Sequence, residues 1–291
     1  MNILISTSEK YLNFAETMLF SLKRNTEEAI TVYLLNHNLS RDRITGFEQY
    51  LEELSGMSLS VIDVDPALFY GFPLGSYFSI ENYYRILAQF ILPETLDRIL
   101  WLDADIIVLK DIGAFYHQSF DGMKYVVCPD NTTASWSYKI EIQKERLGIP
   151  DEHEYFNSGV MLMNLPLLRQ ETNIETILQR CLELKDKLLY ADQDLLNALY
   201  VGQLKYADRK IYNNTISGRT KIPKEEAEQT AIFHYAGSNK PWDVSRMSNA
   251  SKFYWKARWA QGHRLETVKS YAKAIGYLTS SYLHNVKNLF F

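Results

Sequence analysis

Cysteine is scarce in this chain. Cys128 and Cys181 are the only two among 291 residues, too few for a disulfide framework or a zinc cluster, and they fit a reducing compartment. Long apolar runs are missing too: no stretch reaches the roughly 18 residues that a membrane-spanning helix needs. The opening MNILIS has no basic region leading into a long apolar stretch. The expectation is therefore a chain that stays on the cytoplasmic side of the membrane. Positive charge is not in excess. Lys and Arg number 31 against 35 Asp and Glu, a net charge of −4, which argues against a general nucleic-acid binder. No G-x-G-x-x-G follows the first apolar stretch, only ISTSEKY, so the dinucleotide-binding fingerprint is absent. Internal repeats and low-complexity segments are absent as well.

What is present is an alternation. Ile3–Ser6, Thr31–Leu35, Leu59–Val64 and Arg98–Leu102 read as strands, and Tyr11–Arg24, Arg41–Leu54 and Ile80–Phe90 as the helices between them. Further strands are expected at Tyr125–Cys128, Gly159–Asn164, Lys205–Ala207 and Ala231–Tyr235, with helices at Ile174–Lys187 and Ala191–Tyr200. Such alternation predicts an α/β fold, a mainly parallel sheet wound with helices on both faces.

Within RILWLDADIIVLKDI, residues 98–112, two carboxylates interrupt an apolar run. Leaving either unpaired in a core costs several kcal/mol. Residues two apart in an extended segment point to the same side, so Asp103 and Asp105 can face one point, where a divalent cation offsets their repulsion. Oxygen ligands suit Mn²⁺ or Mg²⁺. The plainer reading is one Asp capping a turn and the other solvated.

Three more stretches carry polar groups at strand and helix mouths. In YFNSGVMLMNL, residues 155–165, Asn157 offers an amide and Gly159 a close backbone approach, or the segment is an ordinary turn. In YADQDLLNALY, residues 190–200, Asp192, Gln193 and Asp194 open a helix, where capping alone favours acids. In FHYAGSNKPWD, residues 233–243, His234, Gly237 and Lys240 share one loop. Imidazole for a metal, backbone and ammonium for phosphates, would suit a metal-bound diphosphate, although a lone histidine is more often structural.

These four motifs, in this order and spacing, resemble the family 8 glycosyltransferases, retaining enzymes that include bacterial lipooligosaccharide galactosyltransferases. The resemblance runs from Met1 to about Trp242. It implies a GT-A fold, with a catalytic domain over 1–250, and a UDP-hexose donor (galactose or glucose) bound through Mn²⁺ or Mg²⁺. Asp103, Asp105 and His234 match the metal ligands. Gly237 and Lys240 match the diphosphate loop, Arg85 an arginine on the donor sugar and diphosphate, and Ala104 a backbone contact to the ribose. Asn157, Asp192 and Gln193 match residues lining the donor sugar, and Asp130 a polar group toward the acceptor. Ser6, Thr7, Ser8 and Tyr11 stand where the family holds the base. There Ser8 and Lys10 replace the acid and amide common in the family, and Tyr11 persists. That departure favours an alternative, a degenerate GT-A domain that binds nucleotide sugar or glycan without turnover. A haloacid-dehalogenase-type phosphatase would need Thr or Val where Ile107 stands. The acceptor, a glycan or a lipid-linked one, would meet loops such as Phe69–Ser79 and Asp130–Gly148.

Residues 251–291 form a basic, aromatic-rich segment. Lys252, Lys256, Arg258, Arg264, Lys269, Lys273 and Lys287 stand against Glu266 alone. In Leu265–Leu283 the apolar residues Val268, Tyr271, Ala272, Ile275 and Leu278 recur at helical spacing. Such a helical extension can dock an anionic membrane surface, making the protein peripheral on the inner face, or it can pack on the body.

Overall fold

The computed structural model describes residues 1–73, 80–130, 134–216 and 221–290. Strands β1 (Asn2–Ser6), β2 (Ile30–Asn36), β3 (Met57–Asp63) and β4 (Arg98–Leu102) alternate with helices α1 (Leu12–Lys23) and α2 (Arg41–Glu53) and with a 3₁₀ segment, Ile80–Ile86, that runs into the short α3 (Ala88–Ile91). Next come β5 (Ile106–Val108), α4 (Gly113–His117), β6 (Tyr125–Pro129), α5 (Ala134–Leu147), β7 (Phe156–Asn164), α6 (Leu165–Glu171), α7 (Ile174–Leu184) and α8 (Ala191–Leu199). The chain continues through β8 (Leu204–Tyr206), α9 (Arg209–Tyr212), β9 (Asn214–Thr215), α10 (Lys224–Gln229) and β10 (Ile232–His234), and closes with α11 (Lys252–Ala260) and α12 (Arg264–Phe290).

The main sheet has the order β3-β2-β1-β4-β7-β6-β8. β1 runs parallel to both β2 and β4, β2 to β3 and β6 to β8, while β7 is antiparallel to β4 and β6. The expected mainly parallel α/β sheet is thus observed, with β7 as the reversed member. Alternation along each strand splits the core in two. Ile99 and Trp101 face one side with Tyr125, Val127, Met161 and Met163, where α6–α8 pack; Leu100 and Leu102 face the other with Ile3, Ile5, Val126 and Val160, under α1 and α2. A small sheet, β5-β10-β9, has its own cluster of Ile107, Phe233, Tyr235, Tyr254 and Trp255.

The chain leaves β1 toward β2 on one side and later returns to β4 on the other. The mouth of β1 and β4 is therefore a topological switch point, where open α/β sheets bind ligands. Both acids of the D-x-D emerge there.

Two expectations need correction, and one strand goes beyond what was expected. Ile80–Phe90 is not one α-helix. Tyr83, Tyr84, Arg85, Ile86, Leu87 and Ala88 are all buried, a run that no single amphipathic face accommodates, and the tighter 3₁₀ turn hands over to α3 at Ala88. Of Asp130–Gly148, residues 131–133 lie outside the described residues, and Ala134–Leu147 is not loop but α5; of Phe69–Ser79, residues 74–79 lie outside the described residues. Ile106–Val108, read only as an apolar flank, is a strand pairing antiparallel with β10.

Among residues 251–291 the two readings divide by helix. α11 packs on the body: Tyr254 and Trp255 are buried, Trp255 Nε1 donates to Pro241 O at 3.0 Å, and Arg258 Nη1 donates to Thr17 Oγ1 at 3.1 Å. On α12, Thr267 and Ala274 are buried, whereas Val268, Tyr271 and Ile275 are exposed at 54%, 40% and 61%. The apolar face read from the sequence is therefore outward at Val268 and Ile275, while Tyr271 also leans on the Trp255 ring, with centroids 6.3 Å apart. The side chain of Leu278 lies outside the described residues.

Candidate functional site

The backbone of the D-x-D is pinned on both sides. Asp103 N donates to Gly159 O at 3.0 Å, and Tyr235 N donates to Asp105 O at 2.9 Å. The β5–β10 register pairs His234 with Ile106, which hangs the imidazole beside the acid preceding Ile106. His234 Nε2 lies 3.3 Å from Asp105 Oδ1 and 3.7 Å from Asp103 Oδ2. One ligand atom from each of the three residues falls within 4.8 Å of the others. Two carboxylates and one imidazole form a donor set suited to a divalent cation.

Gly159 makes this approach possible. A Cβ there would stand 2.2 Å from His234 Cε1 and 2.9 Å from Asp103 Oδ2. The sequence reading of close backbone approach at Gly159 is thereby given its object.

Cationic groups surround the cluster. Lys240 Nζ contacts Asp105 Oδ2 and donates to Tyr235 O at 3.1 Å. Burial by itself would raise the Asp105 carboxyl, but Lys240 and His234 beside it hold it well below the usual carboxylate range. Gly237 turns the intervening loop at φ +81°, a conformation that favours glycine.

Arg85 reaches in from the 3₁₀ segment. Its Nη2 lies 3.0 Å from Asp103 Oδ1, its Nε 3.2 Å from Asp192 Oδ2, and its Nη1 donates to Ser158 O at 2.7 Å. The guanidinium carbon sits 4.1 Å from the Trp101 ring centroid, a cation–π contact. Trp101 in turn donates from Nε1 to Asp103 Oδ1 at 2.8 Å. Three of the sequence-derived residues, Arg85, Asp103 and Asp192, are thus one ion-paired unit.

The acids of α8 differ in role. Asp192 is raised to about 6, burial outweighing the opposing Arg85. Asp194 is wholly buried and accepts from Gln143 Nε2 at 2.7 Å, from Leu189 N at 2.6 Å, from Tyr190 N at 2.7 Å and from the Tyr155 hydroxyl. It holds the start of the helix, so the capping reading belongs to this acid. Between them, Gln193 accepts at Oε1 from Asn157 Nδ2 (3.1 Å) and Ser158 N (3.2 Å), and donates from Nε2 to Asp130 Oδ2 at 3.0 Å. Burial pushes the Asp130 carboxyl up, and the bond from Gln193 opposes it.

At the end of β1, Ser6 Oγ donates to Leu35 O at 3.3 Å and Thr7 Oγ1 to Ser8 O at 3.2 Å. Tyr11 packs edge-on against Trp242, with centroids 6.0 Å apart. Ala104, between the two acids, is half-buried. These residues flank the β1–β4 mouth.

Three residues of the site were not legible in the motifs. Trp101 reads as a strand residue and Ser158 as part of a turn, yet each holds Arg85 or an acid of the site. Asn213, buried in the link between α9 and β9, accepts from His234 Nδ1 at 2.9 Å. Its only signal is the Asn213-Asn214 pair, and nothing in sequence spacing connects it to His234.

Known proteins resemble this chain in architecture and in sequence. The sequence profile described as Glycosyl transferase family 8 matches residues 2–245. A lipopolysaccharide 1,2-glucosyltransferase of Escherichia coli (strain K12) is 25% identical over 263 residues, covering 87% of this chain and 76% of that protein. A lipopolysaccharide 1,3-galactosyltransferase of Salmonella typhimurium is 23% identical, covering 86% and 76%. Among solved structures, the galactosyltransferase LgtC in complex with donor and acceptor sugar analogs superposes with a TM-score of 0.76 at 23% identity, over 89% of this chain and 96% of that one. That likeness identifies the sheet and its helices as the same GT-A fold. With the profile spanning nearly the whole of the body, from the first strand past the His234–Lys240 loop, the chain belongs to glycosyl transferase family 8 and is a glycosyltransferase.

Proposed function

We propose that this protein is a retaining hexosyltransferase that moves galactose or glucose from a UDP-hexose to a glycan or lipid-linked acceptor with the help of Mn²⁺ or Mg²⁺. The observation that carries the reading is the convergence of Arg85, Lys240 and His234 on Asp103 and Asp105 at the mouth of β4. A diphosphate brings negative charge that grows as the glycosidic bond breaks. Cationic groups aimed at that charge are the largest stabilising contribution in such a site.

The donor set fits the metal: two anionic oxygens, one imidazole nitrogen, and a glycine where any Cβ would fill the space. When bound, the cation would act as a Lewis acid on the diphosphate. Lys240 would exchange Asp105 for a phosphate oxygen, and Arg85 would hold Asp103 and Asp192 in place while facing the donor. Lys240, Gly237 and the run Ser6, Thr7, Ser8 and Tyr11 would bound the nucleotide, with the backbone of Ala104 against its ribose.

Retention by double displacement needs a carboxylate free to attack beneath the ring. Asp192 is engaged with Arg85 and with Ser158 Oγ at 3.0 Å, and Gln193 is an amide. We favour same-face attack by the acceptor hydroxyl, with the departing phosphate oxygen taking its proton. Gln193 and Asn157 then orient the sugar, and Asp130 faces the acceptor side.

Incubating the protein with UDP-Gal, UDP-Glc, UDP-GlcNAc and UDP-GalNAc in Mn²⁺, without acceptor, tests the reading. Slow release of UDP from UDP-Gal or UDP-Glc, abolished by EDTA and with anomeric retention, is the expected result. Binding of donor without turnover, both alone and with glycan or lipid-linked acceptors added, would instead favour the degenerate domain.

The outward face of α12 supports docking on an anionic membrane from the cytoplasmic side, which would bring a lipid-linked acceptor within reach. Among the described residues no helix is long and apolar enough to cross a membrane. Each basic residue near the surface contributes about 1 kcal/mol. Because α11 is part of the core, the informative truncation follows His263. The shortened protein should hydrolyse donor normally but no longer sediment with anionic vesicles at low salt. Equal sedimentation of both forms would remove α12 from that role.

A further inference from the structure

His234 is one end of a chain of side-chain hydrogen bonds that crosses the site. His234 Nδ1 meets Asn213 Oδ1 at 2.9 Å, Asn213 Nδ2 meets Asn157 Oδ1 at 3.0 Å, Asn157 Nδ2 meets Gln193 Oε1 at 3.1 Å, and Gln193 Nε2 meets Asp130 Oδ2 at 3.0 Å. All five residues are at least nine-tenths buried.

Two backbone amides fix the direction of this chain. Gly159 N donates to Asn157 Oδ1 at 3.0 Å, and Ser158 N donates to Gln193 Oε1 at 3.2 Å. A backbone N–H can only donate, so those two atoms are oxygens. Asn157 must then donate from Nδ2, and Gln193 from Nε2. Asn213 must donate to Asn157, which leaves its Oδ1 for His234. An amide oxygen only accepts, so His234 Nδ1 carries the proton. Its Nε2, turned to Asp103 and Asp105, is left as the ligand nitrogen. A partner on the second ring nitrogen is what fixes a metal-binding histidine in general.

We propose that Asn213 is a positioning residue with two functions: it holds the His234 imidazole with Nδ1 protonated and Nε2 toward the cation cluster, and it locks the Asn157–Gln193 amides that face the donor sugar. Metal seat and sugar seat are thereby set by one buried amide. This rests on the reading of Asp103, Asp105 and His234 as cation ligands, but the orientation of His234 is testable without any metal.

Two substitutions separate the functions. Asn213→Asp keeps an oxygen for His234 Nδ1–H but has no proton for Asn157. Asn213→Ala loses both bonds. The first readout is the long-range ¹⁵N–¹H spectrum of metal-free protein labelled at histidine, with His234 assigned through His234→Gln. Wild type and Asn213→Asp should show a protonated Nδ1 at His234 whose proton exchanges slowly; in Asn213→Ala that slow proton should be gone. The second is the Mn²⁺ dissociation constant in the presence of UDP. It should rise about 10–100-fold in Asn213→Ala and stay within about threefold in Asn213→Asp. UDP-hexose hydrolysis at saturating Mn²⁺ should nevertheless fall at least about tenfold in Asn213→Asp, because the sugar-facing amides are released.

A residue that merely stabilised the fold would lower the melting temperature in both variants without this split. The proposal is overturned if the slow Nδ1 proton persists in Asn213→Ala, or if Asn213→Asp loses Mn²⁺ as severely as Asn213→Ala. If wild type binds no Mn²⁺ at all, the metal reading fails, and the spectrum alone still decides the role of Asn213 at His234.

Discussion

Asp105→Asn is expected to lower Mn²⁺-dependent hydrolysis of the UDP-hexose donor by roughly a thousandfold, equivalent to about 4 kcal/mol of transition-state stabilisation. The substitution changes one oxygen for an NH₂ and little else in shape. Its effect therefore reports charge rather than packing. Asp105 faces His234 through Oδ1 and Lys240 through Oδ2, so the variant weakens the cation seat and at the same time frees the ammonium. Lys240 is partly exposed, at 21% of its side chain, and can recover water. The fold should consequently survive with a melting temperature only slightly lower. Initial rates measured against Mn²⁺ concentration check the prediction. Near-normal turnover at limiting Mn²⁺ would mean that Asp105 is not a ligand and that its ion pair with Lys240 is structural.

The same residues show what a sequence can and cannot disclose about such a site. Asp103, Asp105 and His234 were legible because each sits at the end of an apolar run, where a carboxylate or imidazole has no reason to be unless something outside the core takes it. The alternation of apolar runs likewise disclosed the parallel half of the sheet. The reversed strand β7 was not legible, since a strand buried on both faces carries no direction in its composition. Nor was the break in Ile80–Ile91: consecutive buried residues around Arg85 suit the approach of a guanidinium to Asp103, and that demand overrides helical periodicity. Asn213 and Trp101 were hidden for another reason. Their partners, His234 and Arg85, lie on other elements of the chain, and only the β9–β10 pairing and the packing of the 3₁₀ segment on β4 bring them together. Asp194 could be told from Asp192 only through the four donors that converge on its carboxylate. The outward face of α12 was foreseen as an amphipathic pattern, but no pattern says which side of a helix meets the protein.

Gly159→Ala is expected to abolish detectable binding of Mn²⁺ with UDP, with activity falling at least a hundredfold, although a methyl group is the smallest change a glycine can undergo. Its Cβ would stand 2.2 Å from His234 Cε1, with Asp103 Oδ2 and His234 Nδ1 both at 2.9 Å. None of these atoms is the free end of a flexible chain. His234 lies in β10 between β5 and β9, and its ring is tied to Asn213. Asp103 is held by Trp101 Nε1 and Arg85. The clash can be relieved only by tilting the imidazole away from the acids or by moving β7 off β4. The first dismantles the cation seat. The second breaks the bond from Asp103 N to Gly159 O and loosens two adjoining central strands. Overpacking of this kind costs about 1–3 kcal/mol, so the melting temperature should fall as well. Gly46→Ala is the control. It lies in α2 with nothing within 4 Å of its added Cβ, and alanine there should stabilise the helix by up to about 1 kcal/mol without touching metal binding. If Gly159→Ala bound Mn²⁺ as wild type does, His234 would have room to move that the packing around it denies, and its place among the ligands would have to be given up.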